Sequence, residues 1–331
     1  MKILNNIYPR LILLAGLLTM VSCMEDTTEQ DALDQEMRYF ELYVAANYPD
    51  AVPEANGLYF IENKEGTGDM PSDSSWVLVN HVAYTIPGDL VFETYIERVA
   101  IDNNMEDEDA MYGPYKMRNG RLNEGFTQGL SMMKEGGGAT ILFTSELGYG
   151  STKTGSVGAY QSLKYEVELL EVLGDDIEAY EAANILAYTD TIPGVETIYD
   201  TIYETSMYYV VDSTTEGSPV AIDSTIQVAY KGYLTDGRVF DESTDDTYFK
   251  FKVGDYDAEE GTAITGWHLG LLNFKEGEKG RLIIPYPLAY GEQGKFTNQG
   301  KVAIPAYETL VFEVEVISVD PDEEEDPELE E

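Results

Sequence analysis

The chain has 331 residues, 43% of them apolar, which is enough to fill two cores of ordinary size. Sixty-two acidic side chains against 20 basic ones leave a net charge of −42, and a surface this negative repels phosphate backbones, excluding sequence-independent binding of nucleic acid. Cys23 is the single cysteine, so no internal disulfide can form.

Lys2 and Arg10 precede the apolar run Leu11 to Leu18, and Ser22-Cys23 closes it. A basic start, an apolar stretch too short to span a bilayer and a small residue before the break predict a secretory signal over residues 1–22. With cysteine at the break, the segment resembles a bacterial lipoprotein signal, and Glu25 and Asp26 give it a Bacteroidetes-like cast. That resemblance implies cleavage before Cys23, lipidation of its thiol and a membrane partner. It also implies an outer-membrane lipoprotein of the cell envelope, periplasmic or surface-exposed. Residues 23–56 read as a polar tether and then a helix over 31–48: Leu33, Met37, Phe40, Val44 and Tyr48 recur at helical spacing, and Pro49 stops the run.

Strand signals begin at Gly57. Leu58 to Ile61 is a short strand, and Val77 to Ile86 alternates, with Leu78, Val82, Tyr84 and Ile86 on one face. Phe92-Glu93, an acidic loop from Asp102 to Asp109, Gly125-Phe126, Leu147-Gly-Tyr149-Gly150 and Leu163-Lys-Tyr165 follow. The second half repeats this order with Tyr230, Phe240-Asp241, Gly266-Trp267, Tyr290-Gly291 and Phe312. Phe126 to Tyr149 and Trp267 to Tyr290 are both 23 residues, so two long segments share one register and the chain is internally duplicated. A second leading helix is expected over 175–188, and 189–204, broken by Pro193-Gly194, reads as a connection. The expected division is 57–174, a helix and connection over 175–204, and 205–319. The acid-rich tail 320–331 cannot bury apolar area.

The ordered set Tyr230, Phe240-Asp241, Phe249, Ile264-Thr-Gly266-Trp267, Tyr290-Gly291, Ala303-Ile304-Pro305 and Phe312 resembles the FKBP-type peptidyl-prolyl cis-trans isomerases. The resemblance implies an α+β fold of two FKBP-like domains, each a twisted antiparallel β-sheet wrapped on a short α-helix and each preceded by an amphipathic helix. It implies cis/trans isomerisation of X–Pro bonds in proline-containing polypeptide clients. The barrier to that rotation is about 18–20 kcal/mol and comes from amide resonance. A dry aromatic pocket favours the twisted, less polar amide, and a positioned donor holds the carbonyl oxygen. No metal or cofactor is called for.

Carried over by position, the resemblance places Trp267 at the pocket floor, on a short helix ending near Gly277. Tyr230, Phe240, Phe249 and Phe312 become walls, Asp241 a polar edge, and Ala263 and Ile304 the apolar rim. Ile264 would offer a backbone N–H, and Tyr290 a hydroxyl to the substrate carbonyl. The first copy departs from this pattern. Its implied pocket is Tyr84, Phe92, Phe126, Tyr149 and Tyr165, with Phe126 replacing the tryptophan, Glu93 the aspartate, Tyr165 the wall phenylalanine and Asn123 the residue at Ile264. A smaller or filled pocket is expected there, and with it a holding or architectural role. Loops lengthened at 255–262 and 295–301 frame the second pocket. Two readings follow: a foldase for exported proteins working at the C-terminal copy, or a non-catalytic peptide- or partner-binding lipoprotein. His81 and His268 are expected to be ordinary strand and helix residues.

Overall fold

The computed structural model describes residues 29–244, 247–255 and 263–320. The signal segment, Cys23 and the tail beyond 320 lie outside them. Among the described residues, no helix is long and apolar enough to cross a membrane.

Helix α1 (Glu29–Asn47) turns Phe40 and Val44 onto the outer face of the first sheet, against Ile86 and Leu142. Its buried stripe differs by one position from the expected one: Met37 is 46% exposed, whereas Glu36 is 7% exposed. A buried carboxylate is costly unless its lone pairs are satisfied. Here Glu36 accepts the Ser145 N–H and hydroxyl, each at 2.6 Å, and the Ser162 hydroxyl at 2.7 Å.

The first sheet contains β1 (Tyr59–Lys64), β2 (Trp76–Ile86), β3 (Leu90–Thr94) and β4 (Tyr115–Arg118). It is completed by β5 (Gly138–Phe143) and β6 (Ser162–Gly174), in the order β1-β5-β6-β2-β3, with β4 also on β2. A one-turn helix α2 (Glu97–Asp102) fills the β3–β4 connection, and α3 (Glu124–Ser131) crosses the inner face. Helix α4 (Ile177–Thr189) then leads into β7 (Glu196–Asp200).

The second sheet adds β8 (Thr205–Ser213), β9 (Thr225–Leu234), β10 (Val239–Glu242) and β11 (Phe249–Lys252). Helix α5 (Thr265–Leu271) precedes β12 (Lys279–Ile284), the hairpin β13 (Lys295–Phe296) and β14 (Val302–Ile304), and the long β15 (Leu310–Asp320). The order is β10-β9-β15-β12-β8-β7, with β11 also on β9. All pairings in both sheets are antiparallel, giving the α+β architecture expected from the sequence. Two local readings change. The connection after α4 is itself an edge strand, since β7 pairs with β8 from Glu196↔Tyr209 to Asp200↔Thr205. Helix α5 ends at Leu271, well before Gly277.

Duplication extends to the packing of the inner helices. A Cβ on Gly125 would lie 2.4 Å from the Phe143 ring, and one on Gly129 would lie 2.5 Å from Ile141. At Gly266 and Gly270 the same intrusions would meet Ile284 at 2.4 Å and Leu282 at 2.7 Å. Paired glycines one turn apart therefore seat each helix directly on its sheet, so that the aromatic following the first glycine reaches the core.

Candidate active site

Strand β9 turns Ile226 and Val228 into the second core and brings Tyr230 to its edge. Residue Gly232 fixes the neighbouring geometry: β10 sets Asp241 opposite it, and β15 sets Phe312 opposite it on the other side. A Cβ at Gly232 would lie 2.6 Å from the Phe240 ring and 2.8 Å from Phe312, so those rings occupy the space above a bare backbone. Strand β11 supplies Phe249 and Phe251 from the far side of β9.

Trp267, 4% exposed, is where these rings converge. Its centroid is 5.2 Å from Tyr230, 5.2 Å from Phe312 and 5.5 Å from Phe249, each approach edge-to-face. Phe240 meets Phe312 at 5.5 Å and 84°, closing the wall. Such edge-to-face contacts match the ring quadrupole and hold the cage in one arrangement. Ala263 and Ile304 are buried in the same cluster, while Ile264 and Tyr290 are partly buried against it. Ile264 is the extended residue that starts α5 (φ −64°, ψ 152°). Among the described residues the indole Nε1–H of Trp267 has no acceptor, which leaves a buried donor at the floor of the cage.

The polar edge is made by phenols and one carboxylate. Tyr230 donates its hydroxyl to Asp241 Oδ2 at 2.8 Å. Burial, and then the hydrogen bond and charge of Asp241, hold the Tyr230 phenol well above the ordinary tyrosine range. Burial and the Asp241 charge also push Tyr290 upward. Both hydroxyls remain protonated donors at neutral pH.

His268, expected as an ordinary helix residue, lies on α5 and also holds the backbone on the approach to this cage. Its Nδ1 accepts the Gly254 N–H at 3.0 Å, and its ring lies against the backbone of Ala263. The two ends of the 255–263 loop are thus joined through one buried imidazole, which desolvation keeps below the ordinary histidine pKa. The loop interior at 256–262 lies outside the described residues.

The first copy requires a correction. Tyr165 stands opposite Ala83 on β2, as Phe312 stands opposite Gly232, so His81 occupies the register position of Tyr230. Tyr84 is therefore not a pocket residue. A shift of three positions along a strand reverses the face. Tyr84 accordingly points outward, donating to Glu166 at 3.0 Å under the Lys164 ammonium, as Tyr233 does toward Glu313 at 3.3 Å. The inward set on β2 is Val77, Val79 and Ala83, with His81 among the inner rings, rather than the face carrying Leu78 and Val82.

The rest of the first cage reproduces the second. Phe126 lies 4.9 Å from Tyr165, Phe92 6.0 Å from Tyr165 at 86°, and His81 5.7 Å from Phe126. His81 Nε2 and Glu93 Oε1 stand 3.1 Å apart where the other copy has Tyr230 and Asp241. What differs is filling. The Tyr165 hydroxyl projects into the cage and accepts from Asn123 Nδ2 at 2.8 Å, and Asn123 Oδ1 caps α3 through the Phe126 N–H at 3.0 Å. Tyr149 lies beside this phenol, which burial and the neighbouring Tyr149 and Glu93 raise well above its ordinary pKa. Val157 fills the rim from the loop before β6, at 1% exposure.

The same arrangement therefore occurs twice: an aromatic cage on a helix that is seated by two glycines against a six- or seven-stranded antiparallel sheet. The FKBP-type peptidyl-prolyl cis-trans isomerase family matches residues 85–170 and 217–317, together more than half of the chain, and the chain belongs to that family. Peptidyl-prolyl cis-trans isomerase FKBP15-2 of Arabidopsis thaliana is 46% identical over 96 residues, covering 29% of this chain and 53% of that protein. A probable FKBP-type peptidyl-prolyl cis-trans isomerase of Haemophilus influenzae is 32% identical over 121 residues, 37% of this chain and 46% of that protein. The chain thus spans about half the length of these relatives. Among solved structures, FkpA from Escherichia coli aligns at 24% identity and a TM-score of 0.37 over 53% of this chain and 76% of that one.

Proposed function

We propose that this protein is a peptidyl-prolyl cis-trans isomerase whose working site is the Trp267 cage of the C-terminal copy, serving exported polypeptides from a lipid anchor at Cys23. The cage itself carries the proposal: five aromatic rings around a buried indole, with phenolic donors along one edge. A proline ring entering it leaves water for an apolar surround. The planar amide, with its large dipole, loses more by that transfer than the twisted one, so the barrier falls. Tyr290 supplies the donor for the substrate carbonyl. Tyr230 is committed to Asp241 and keeps the rim polar, while Ala263 and Ile304 exclude water. Each 1.36 kcal/mol removed from the barrier gives about tenfold in rate.

Refolding of a protein limited by a proline isomerisation tests this. The full chain accelerates the slow phase, and the double variant Trp267→Leu, Tyr290→Phe loses most of that acceleration. An unchanged rate in the double variant rejects the site. The anchor rests on the sequence of residues 1–23 alone, and incorporation of labelled fatty acid that persists in Cys23→Ala rejects it. For the first copy, the Asn123–Tyr165 filling favours an architectural role over catalysis.

A further inference from the structure

Each domain sends one side chain into the other's core. Met111, in the loop before β4, is 7% exposed and belongs to the cluster that holds Trp267, Ile304 and Phe312. Val302, on β14, is 4% exposed and belongs to the cluster that holds Tyr115 and Phe126. The Met111 N–H donates to the Val302 carbonyl at 2.8 Å.

The same N-terminal segment grips the β13–β14 hairpin along its length. At the tip, Thr297 donates its hydroxyl to Asp107 Oδ2 at 2.6 Å. At the exit, Lys116 Nζ donates to the Tyr307 carbonyl at 3.0 Å and pairs with Glu308 at 2.8 Å and Glu181 at 2.6 Å. On the opposite rim, beside Phe240, Arg238 Nη1 donates to the Pro114 carbonyl at 3.0 Å.

That hairpin joins two residues of the cage. It leaves Tyr290 and returns through Ile304, and its ends are tied by Gly294 N–H to the Tyr290 carbonyl and Tyr307 N–H to the Gly291 carbonyl, both 3.2 Å. Its strands hold only two and three residues, and an isolated two-stranded hairpin is marginal in water. Ordering such a segment costs conformational entropy, which contacts elsewhere must offset.

We propose that the segment Asp107–Lys116 of the N-terminal domain is a positioning element of the C-terminal site, fixing Tyr290 and Ile304 through the hairpin. This rests on the reading of the Trp267 cage as the isomerase site. It gives the filled first domain a role in a reaction it does not carry out. A displacement of about 1 Å at a donor can cost on the order of a hundredfold in rate, so an unheld hairpin is a kinetic matter rather than one of fold.

The test uses the full chain with Asp107→Ala, Thr297→Val, their double variant and Asp107→Asn. Three readouts are taken: thermal unfolding, amide exchange over 295–304, and kcat and KM toward X–Pro tetrapeptides. Expected are unfolding like the wild type, exchange in the hairpin accelerated about tenfold, and kcat/KM reduced several-fold in each single variant. The double variant loses less than the sum of the two single ones, because both break the Asp107–Thr297 bond, while Asp107→Ala alone also frees the Asp109 N–H and Thr297→Val alone the Gln299 and Lys301 N–H groups. Asp107→Asn recovers part of the loss by keeping one acceptor oxygen. Unchanged hairpin exchange overturns the proposal, as does faster exchange with wild-type kcat/KM. A wild-type chain that does not accelerate isomerisation overturns the isomerase reading instead. Peptide affinity then replaces kinetics: equal affinity in wild type and variants overturns the positioning role too, and weakened affinity in the variants supports it.

Discussion

Tyr230 donates to Asp241 at 2.8 Å, and His81 stands 3.1 Å from Glu93 at the same two register positions of the other copy. One hydrogen-bonded edge has thus been kept with different chemistry. In the C-terminal copy, the two phenols at the cage, Tyr230 and Tyr290, are both raised by burial. A phenol whose folded pKa exceeds its unfolded value is fully protonated below the ordinary tyrosine range near 10 and loses its proton only as pH rises through the higher folded value. The isomerase kcat/KM of the full chain is therefore expected to be flat from about pH 6.5 to about 9 and to fall only above that. A limb near neutrality would assign the chemistry to another group.

Gly232→Ala tests the close packing over β9. Its Cβ would fall 2.6 Å from Phe240 and 2.8 Å from Phe312, and β9 and β15 leave no slack for either ring. Overpacking of this kind costs about 1–3 kcal/mol. Phe240 would be displaced toward solvent and kcat/KM would fall about tenfold or more. The first copy carries Ala83 at this position, so the variant also moves the C-terminal cage toward its filled counterpart. Denaturant unfolding together with peptide kinetics checks both effects, and wild-type values in both would show that the ring has room to move.

Much of this was legible in the sequence because aromatic order and glycine spacing are dictated by contacts. Gly125-Phe126 and Gly266-Trp267 had to be neighbours, since the ring reaches the core only if the helix backbone touches the sheet. The expectation for Tyr84 fails because it matches the two strands by side-chain chemistry rather than by face. Tyr84 precedes Phe92 by 8 residues and Tyr230 precedes Phe240 by 10, whereas His81 precedes Phe92 by 11. A one-residue difference fits a hairpin, and the register shift between Ala83 and Tyr84 absorbs it. A histidine among expected aromatics hid the equivalence. The clamp of Met111 and Asp107 on the hairpin had no local signal, because it joins residues about 190 apart in a loop that reads only as acidic.

Tyr165→Phe tests the filled cage of the first copy. It removes the acceptor of Asn123 Nδ2, leaving a buried amide donor unmatched at a cost of about 1–3 kcal/mol. Adding Asn123→Ser removes that orphan while keeping a side-chain cap on α3, so most of the stability returns. Thermal unfolding of the two variants decides it. Equal losses in the single and double variants would show that the phenol stabilises the domain by packing alone.

Glu308→Gln tests the electrostatics between the domains. Glu308 lies with Glu181 around Lys116, and two carboxylates share one ammonium in a site where the lysine and Glu181 side chains are 6% and 5% exposed. Burial first, and then the charge of Glu181, raise the Glu308 pKa against the opposing pull of Lys116. A carboxyl raised on folding contributes stability that is fully present below its ordinary value and is lost as pH rises through the folded value. Glutamine cannot titrate, and its amide oxygen can still accept from Lys116, while Glu181 continues to neutralise the ammonium. The stability difference between variant and wild type is therefore expected to move in the variant's favour as pH rises from about 4 to about 7.5. Urea unfolding at both pH values measures it. A shift toward the wild type over that range would mean that attraction to Lys116 outweighs the burial of the second carboxylate, and that the interface is held by the pair rather than strained by it.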